Sequence, residues 1–111
     1  MVIMNPEITL IRDLIVNAIA VEKIFLFGSH AYGKPNDGSD YDIYMVIPND
    51  GLRPIDAIGK AHLAMRGTGV KPVDFLAGTV EVFERRSKQS TLERKIAQKG
   101  VVLYERGQQS P

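Results

Sequence analysis

The chain has 111 residues, 44% of them apolar and 24% charged, with a net charge of +1. That balance is ordinary for a globular domain and excludes a disordered chain. The near-zero charge argues against nucleic acid or a membrane surface as a partner of the whole chain. There is no cysteine, and His30 and His62 are the only histidines; disulfides, thiolate metal sites and a histidine-rich zinc centre are therefore excluded. The start, MVIMNPEITLIRDL, lacks the basic flank of a signal peptide, and no apolar run approaches the ~20 residues of a membrane span. The expectation is one soluble, cytoplasmic domain over residues 1–107, with 108–111 as a frayed tail.

Asn5 and Pro6 have the chemistry of an N-cap and a first helical residue, and Ile8, Ile11, Leu14, Ile15 and Ala18 follow at helical spacing. Residues 21–27 form a β-rich run, apolar on both faces from Ile24 onward, as an interior strand requires. Residues 28–33 fit a turn and short helix, and 33–38 a loop. Pro-Asn-Asp-Gly occurs at 35–38 and again at 48–51, bracketing a strand over about 39–47 with turn chemistry. Pro54 opens a second helix, with Ile55, Ile58, Ala61, His62 and Met65 on one side. A third strand covers 70–77, with Pro72 near its start marking a sheet edge or bulge. Thr79 can cap a third helix. Ser90 and Glu93 have capping-box spacing for a fourth, which Gly100 stops before a last strand at 101–104. The order α-β-β-α-β-α-α-β indicates a small α/β (α+β) domain with a mixed sheet flanked by helices.

The segment LFGSHAYGKPNDGSDYDIYMVI, 26–47, carries the chemistry. Asp40 and Asp42 are two apart, so on a strand both carboxylates leave one face, a natural seat for a hard cation such as Mg²⁺. The plainer reading is a solvated strand face, because a lone Asp-x-Asp is a weak signal. Gly28-Ser29, at the end of the preceding apolar run, offers backbone N–H groups and a hydroxyl to phosphate. Asp74 is a third acid, set between Val73 and Phe75 in an apolar strand, where an unpaired charge is expensive. Lys71 is its plain partner; a metal site shared with Asp40 and Asp42 is the alternative.

Gly28-Ser29-x-Ala31-x-Gly33, then Ser39-Asp40-x-Asp42, then Asp74 between apolar neighbours, resembles the nucleotidyltransferase superfamily of DNA polymerase beta. More narrowly, it resembles its minimal nucleotidyltransferase (MNT) domains, and the closing Gly100-Val101-Val102-Leu103-Tyr104-Glu105 is similar to their usual ending. The resemblance implies that Gly28 and Ser29 hold the phosphates of ATP or another nucleoside triphosphate, with Lys34 and Ser39 beside them. It implies that Asp40, Asp42 and Asp74 are the catalytic residues and hold two Mg²⁺ ions. Asp74 would also help activate the attacking hydroxyl. His30 and Tyr32 depart from the family, where arginine is common; losing a guanidinium removes a bidentate phosphate donor, for which Lys34 is a partial substitute. Tyr32 and Tyr44 either flank the nucleotide or pack.

A chain of this length leaves no room for an acceptor-binding domain, so the acceptor is expected on another protein. For MNT domains the resemblance implies a HEPN-domain partner, with the MNT chain acting as antitoxin by transferring AMP to the toxin, as a homo- or hetero-oligomer. No Arg-x-x-x-x-His pair of the HEPN kind occurs here. The alternatives are a binding module that masks its partner and transfer of the nucleotide to a small hydroxylated molecule.

Overall fold

The computed structural model of the chain describes residues 5–33 and 40–107. Helix α1 (Pro6–Ala18) is followed by β1 (Lys23–Phe27), the short α2 (Ser29–Tyr32) and β2 (Tyr41–Ile47). Then come α3 (Pro54–Met65), β3 (Val73–Thr79), α4 (Val80–Ser87), α5 (Leu92–Lys99) and β4 (Val101–Glu105). The strands form one mixed sheet in the order β3-β2-β1-β4. β1 runs antiparallel to β2 and to β4, while β2 and β3 are parallel. The α/β class and the mixed sheet expected from the sequence hold, and the element order does too once the short helix at 28–33 is counted as α2. The tail at 108–111, like Lys34 and Ser39, lies outside the described residues.

Alternation along β2 feeds two cores. Tyr41, Ile43, Met45 and Ile47 pack with Ile11 and Ile15 of α1 and Ala57 and Ala61 of α3. Tyr44 and Val46 point the other way, against Phe25, Phe27, Phe83 of α4 and Ile96 of α5. A second face that is solvated is therefore ruled out for most of the strand: Tyr44 and Val46 are 2% and 3% exposed. The central strands can be apolar on both sides because helices cover both.

The caps follow the side-chain chemistry. Asn5 Oδ1 accepts from the Ile8 N–H at 2.8 Å, and Thr79 Oγ1 from that of Val82 at 3.3 Å. The start of α5 differs from the expected Ser90 box. Thr91 is its N-cap, accepting from the Arg94 N–H at 3.2 Å, so Glu93 enters the second helical position and turns inward to Tyr44. On α3 the buried stripe is Ala57 and Ala61; Ile55 and His62 are exposed, and His62 only meets the Phe75 ring edge-on at 5.0 Å. Small residues on that stripe let α3 lie close to the sheet, which carries the larger ones. Pro72 stands one residue before β3, an edge strand, where its missing N–H costs no ladder bond.

Candidate active site

The β1–β2–β3 register sets the site. Phe27 is opposite Asp42, and Asp42 is opposite Asp74. Asp42 and Asp74 are thus neighbours on adjacent strands, roughly 4.8 Å apart in the backbone, with side chains on one face. Asp42 is half-buried where the α4/α5 layer ends, and Asp74 is exposed. The expectation of a buried, expensive Asp74 is corrected: β3 is an edge strand, and its alternate residues Asp74 and Leu76 face solvent. Nor does Lys71 pair with it among the described residues. The Lys71 backbone N–H donates to Glu7 Oε2 at 2.9 Å, and its ammonium stands 6.0 Å from the centre of the Tyr41 ring. Asp40 is exposed and immediately precedes β2 rather than lying within it.

The turn after β1 is built around the acid. Gly28 has φ 73° and ψ −153°, backbone that only glycine adopts readily. A Cβ there would collide with Asp42 Oδ2 and stand 3.0 Å from its Cγ. The turn backbone therefore lies directly against the carboxylate. The Gly28 carbonyl accepts from the N–H groups of Ala31 and Tyr32 at 3.0 and 3.1 Å, starting α2, and Ser29 is its first residue. Gly33 closes it with an ordinary φ of −110°, but a Cβ there would stand 2.8 Å from Ser29 Cα. Both glycines of the motif are thus required by close approach.

Burial, followed by repulsion from Asp74 and then Asp40, holds the Asp42 carboxyl above its usual range, with the charge of His30 opposing the shift. Three carboxylates converge electrostatically on one half-buried position. Among the described residues, no three His, Cys, Asp or Glu side chains close a metal shell by themselves. Mg²⁺ does not ask for one, since it keeps waters and takes one or two carboxylates plus substrate phosphates. An all-oxygen donor set with mutually repelling charges and an open side fits such an ion. Asp42 and Asp74 would hold it, with Asp40 at the rim.

The other residues singled out in the sequence divide between site and scaffold. The His30 ring lies 4.5 Å from that of Tyr41, whose hydroxyl donates to Glu7 Oε1 at 2.7 Å. Tyr44 is structural: its hydroxyl donates to Glu93 Oε2 at 3.1 Å, and Arg86 Nε stands 3.0 Å from Glu93 Oε1. Tyr32 packs partly into the Phe25–Phe83 cluster and carries the Lys95 ammonium 5.0 Å from its ring centre. Neither contact is signalled by the local sequence. Glu93 reads as a capping residue and Lys95 as part of a solvated basic face. A cavity of about 710 Å³ lies elsewhere, between α4 and the far ends of β1 and β2 by Lys23, Val46 and Phe83; none of the three aspartates lines it.

An acid pair across parallel strands, with a glycine turn pressed on one member, fits the class of phosphoryl- and nucleotidyl-transfer sites. The chain belongs to the polymerase beta nucleotidyltransferase family, whose model matches residues 10–109, and it is a nucleotidyltransferase. Its fold is similar to that of a candidate nucleotidyltransferase from Sulfolobus solfataricus (TM-score 0.63, 21% identity, covering 93% of this chain and 81% of that one). It is equally similar to a chain from a toxin–antitoxin structure with AMP-PNP (TM-score 0.63, 22% identity, covering 93% and 76%). Comparison with functionally curated proteins gives no match. Among the described residues, no helix is long and apolar enough to cross a membrane.

Proposed function

We propose that residues 1–107 form one nucleotidyltransferase domain that moves a nucleoside monophosphate, AMP from ATP, onto a hydroxyl of a partner protein. The observation that carries this is the Asp42–Asp74 pair in register, with Gly28 packed on Asp42. Gly28 and Ser29 receive the outer phosphates, together with Lys34 and Ser39, which lie outside the described residues. Asp40, Asp42 and Asp74 hold Mg²⁺, two ions in the full site. When bound, the metal neutralises charge on the triphosphate. Asp74, exposed on the edge strand, faces the incoming hydroxyl and takes its proton. The new bond joins that oxygen to the α-phosphorus. The bond that breaks lies between the α-phosphorus and the bridging oxygen, and pyrophosphate leaves.

The toxin–antitoxin neighbour favours a protein acceptor, and the MNT resemblance favours a HEPN-domain toxin as that partner, with this chain as the cytoplasmic antitoxin in a hetero-oligomer. Incubating the chain with a co-encoded partner, ATP and Mg²⁺ tests the reading by intact mass. The partner should gain the mass of AMP, and Asp42→Asn should abolish the gain. A stable complex with no mass change would instead support masking without transfer.

A further inference from the structure

One cation of the helical layer is placed unlike the others. Lys95 lies in the middle of α5, and its ammonium rests 5.0 Å from the centre of the Tyr32 ring. Tyr32 is the last residue of α2, and its ring is wedged partly into the cluster of Phe25, Phe27 and Phe83. The ring is therefore anchored from below, and it steers the flexible lysine stem over the turn segment. Arg86 is spent on Glu93, Lys23 on Glu105 and Arg106 on Glu22. Lys95 makes no ion pair among the described residues. Arg94 and Lys99 on the same helix are exposed too, yet neither rests on a ring of the turn.

The same sheet face thus has opposite charge on its two sides. Asp42 and Asp74 stand over β2 and β3, and Lys95 of α5, which packs against β1, stands over the Tyr32 ring. A triphosphate whose metal-bound part sits over the acids and which crosses the turn has its far end directed at that ammonium. His30 and Tyr32 of the turn carry no guanidinium, and among the described residues Lys95 is a cation from another element that rests on a ring of the turn.

We propose that Lys95, positioned by the Tyr32 ring, binds the terminal phosphate of the nucleoside triphosphate. The inference rests on the nucleotidyl-transfer reading of the site. It makes Lys95 a binding residue and Tyr32 a positioning residue whose face matters and whose hydroxyl does not.

Calorimetric titration with AMP-PNP and with AMP, each with Mg²⁺, tests it without requiring turnover. An exposed charge-assisted contact implies that Lys95→Met weakens AMP-PNP binding about five- to tenfold. AMP, which lacks the terminal phosphate, should bind the variant as it binds the parent. Lys95→Arg should stay within about twofold of the parent, since the charge and the ring contact are both kept. Tyr32→Phe should bind as the parent, whereas Tyr32→Leu should lose part of the AMP-PNP affinity. Equal AMP-PNP affinity in Lys95→Met overturns the assignment, as does an equal loss for both ligands. A parent protein that binds neither ligand overturns the nucleotide reading itself, and the assignment with it.

Discussion

Replacing Gly28 by alanine is the sharpest probe of the site, because one methyl group meets two separate obstacles. The backbone at φ 73° and ψ −153° lies in a region that L side chains avoid, costing roughly 1–3 kcal/mol. The added Cβ also lands on Asp42 Oδ2, and a steric intrusion of this kind costs about 1–3 kcal/mol. Together these give roughly 2–6 kcal/mol. At about 4–8 °C per kcal/mol for a domain of this size, the melting temperature should fall by at least ~8 °C.

The two parts can be separated by thermal and urea unfolding. Gly67 has φ 72° with open space around it, so Gly67→Ala reports the cost of a positive φ without a steric obstacle. Asp42→Ala removes the obstructing carboxylate and leaves the turn in place. In that background Gly28→Ala should lose the steric part of its cost, shrinking by more than ~1 kcal/mol. If Gly28→Ala costs no more than Gly67→Ala, or if its cost adds to that of Asp42→Ala within about 0.5 kcal/mol, the turn does not rest on the acid. The link between motif and metal seat would then be gone.

Three further outcomes follow from the same geometry. Burial, then Asp74 and Asp40, raise the Asp42 pKa in the folded protein, so its ionisation opposes folding: metal-free stability should decline as pH rises from the ordinary carboxylate range through the raised value. Asp42→Asn should melt higher than the parent at neutral pH and lose that slope, and Mg²⁺ should raise the melting temperature of the parent only; an equal Mg²⁺ response in both would sink the seat. Burial pushes the Glu93 carboxyl up, but its backbone bond, Arg86 and Tyr44 outweigh it and hold it low, so its contribution is present at neutral pH and is lost as pH falls through the depressed value. Glu93→Ala, which leaves the buried Tyr44 hydroxyl without its acceptor, should cost about 2–4 kcal/mol in urea unfolding, and an effect under ~1 kcal/mol would contradict the arrangement. Gly78→Ala drives a Cβ into the Tyr44 hydroxyl and should be rescued in part by Tyr44→Phe, as measured by thermal melts.

Residues whose role depends on near neighbours in the chain were legible, and those whose role depends on distant packing were not. Asn5 and Thr79 act within a few positions of themselves, so their residue types reveal them; the turn at Gly28 is local too, but its contact with Asp42 is not. Asp42 and Asp74 were recognisable as acids set beside apolar strands, but the register that pairs them is a long-range fact. The exposure of Asp74 followed from β3 lying at an edge, and Pro72 hinted at that without saying which face stays open. Glu93 misled because Ser90 and Glu93 have capping-box spacing, yet Thr91 caps equally well and frees Glu93 to meet a tyrosine 49 positions away. On α3, His62 sits among apolar residues in sequence, but the sheet takes the small Ala57 and Ala61 instead.

The position of Asp42 on β2 explains how one strand serves both the core and the chemistry. Tyr41, Ile43, Met45 and Ile47 are committed to the α1/α3 side, and Tyr44 and Val46 to the α4/α5 side. Asp42 shares the second side but lies one pleat beyond the helices that cover it. There it is buried enough to feel Asp74 and Asp40 through little water, and open enough for a ligand to reach it. A slip of one residue would exchange Asp42 for Tyr41 and put a carboxylate into the α1/α3 core, so the register that stabilises the sheet also holds the acid in place. The Tyr44–Glu93–Arg86 contact, next on the same face, ties that register to α4 and α5. Loosening it should therefore reduce nucleotidyl transfer even though none of its members touches the nucleotide.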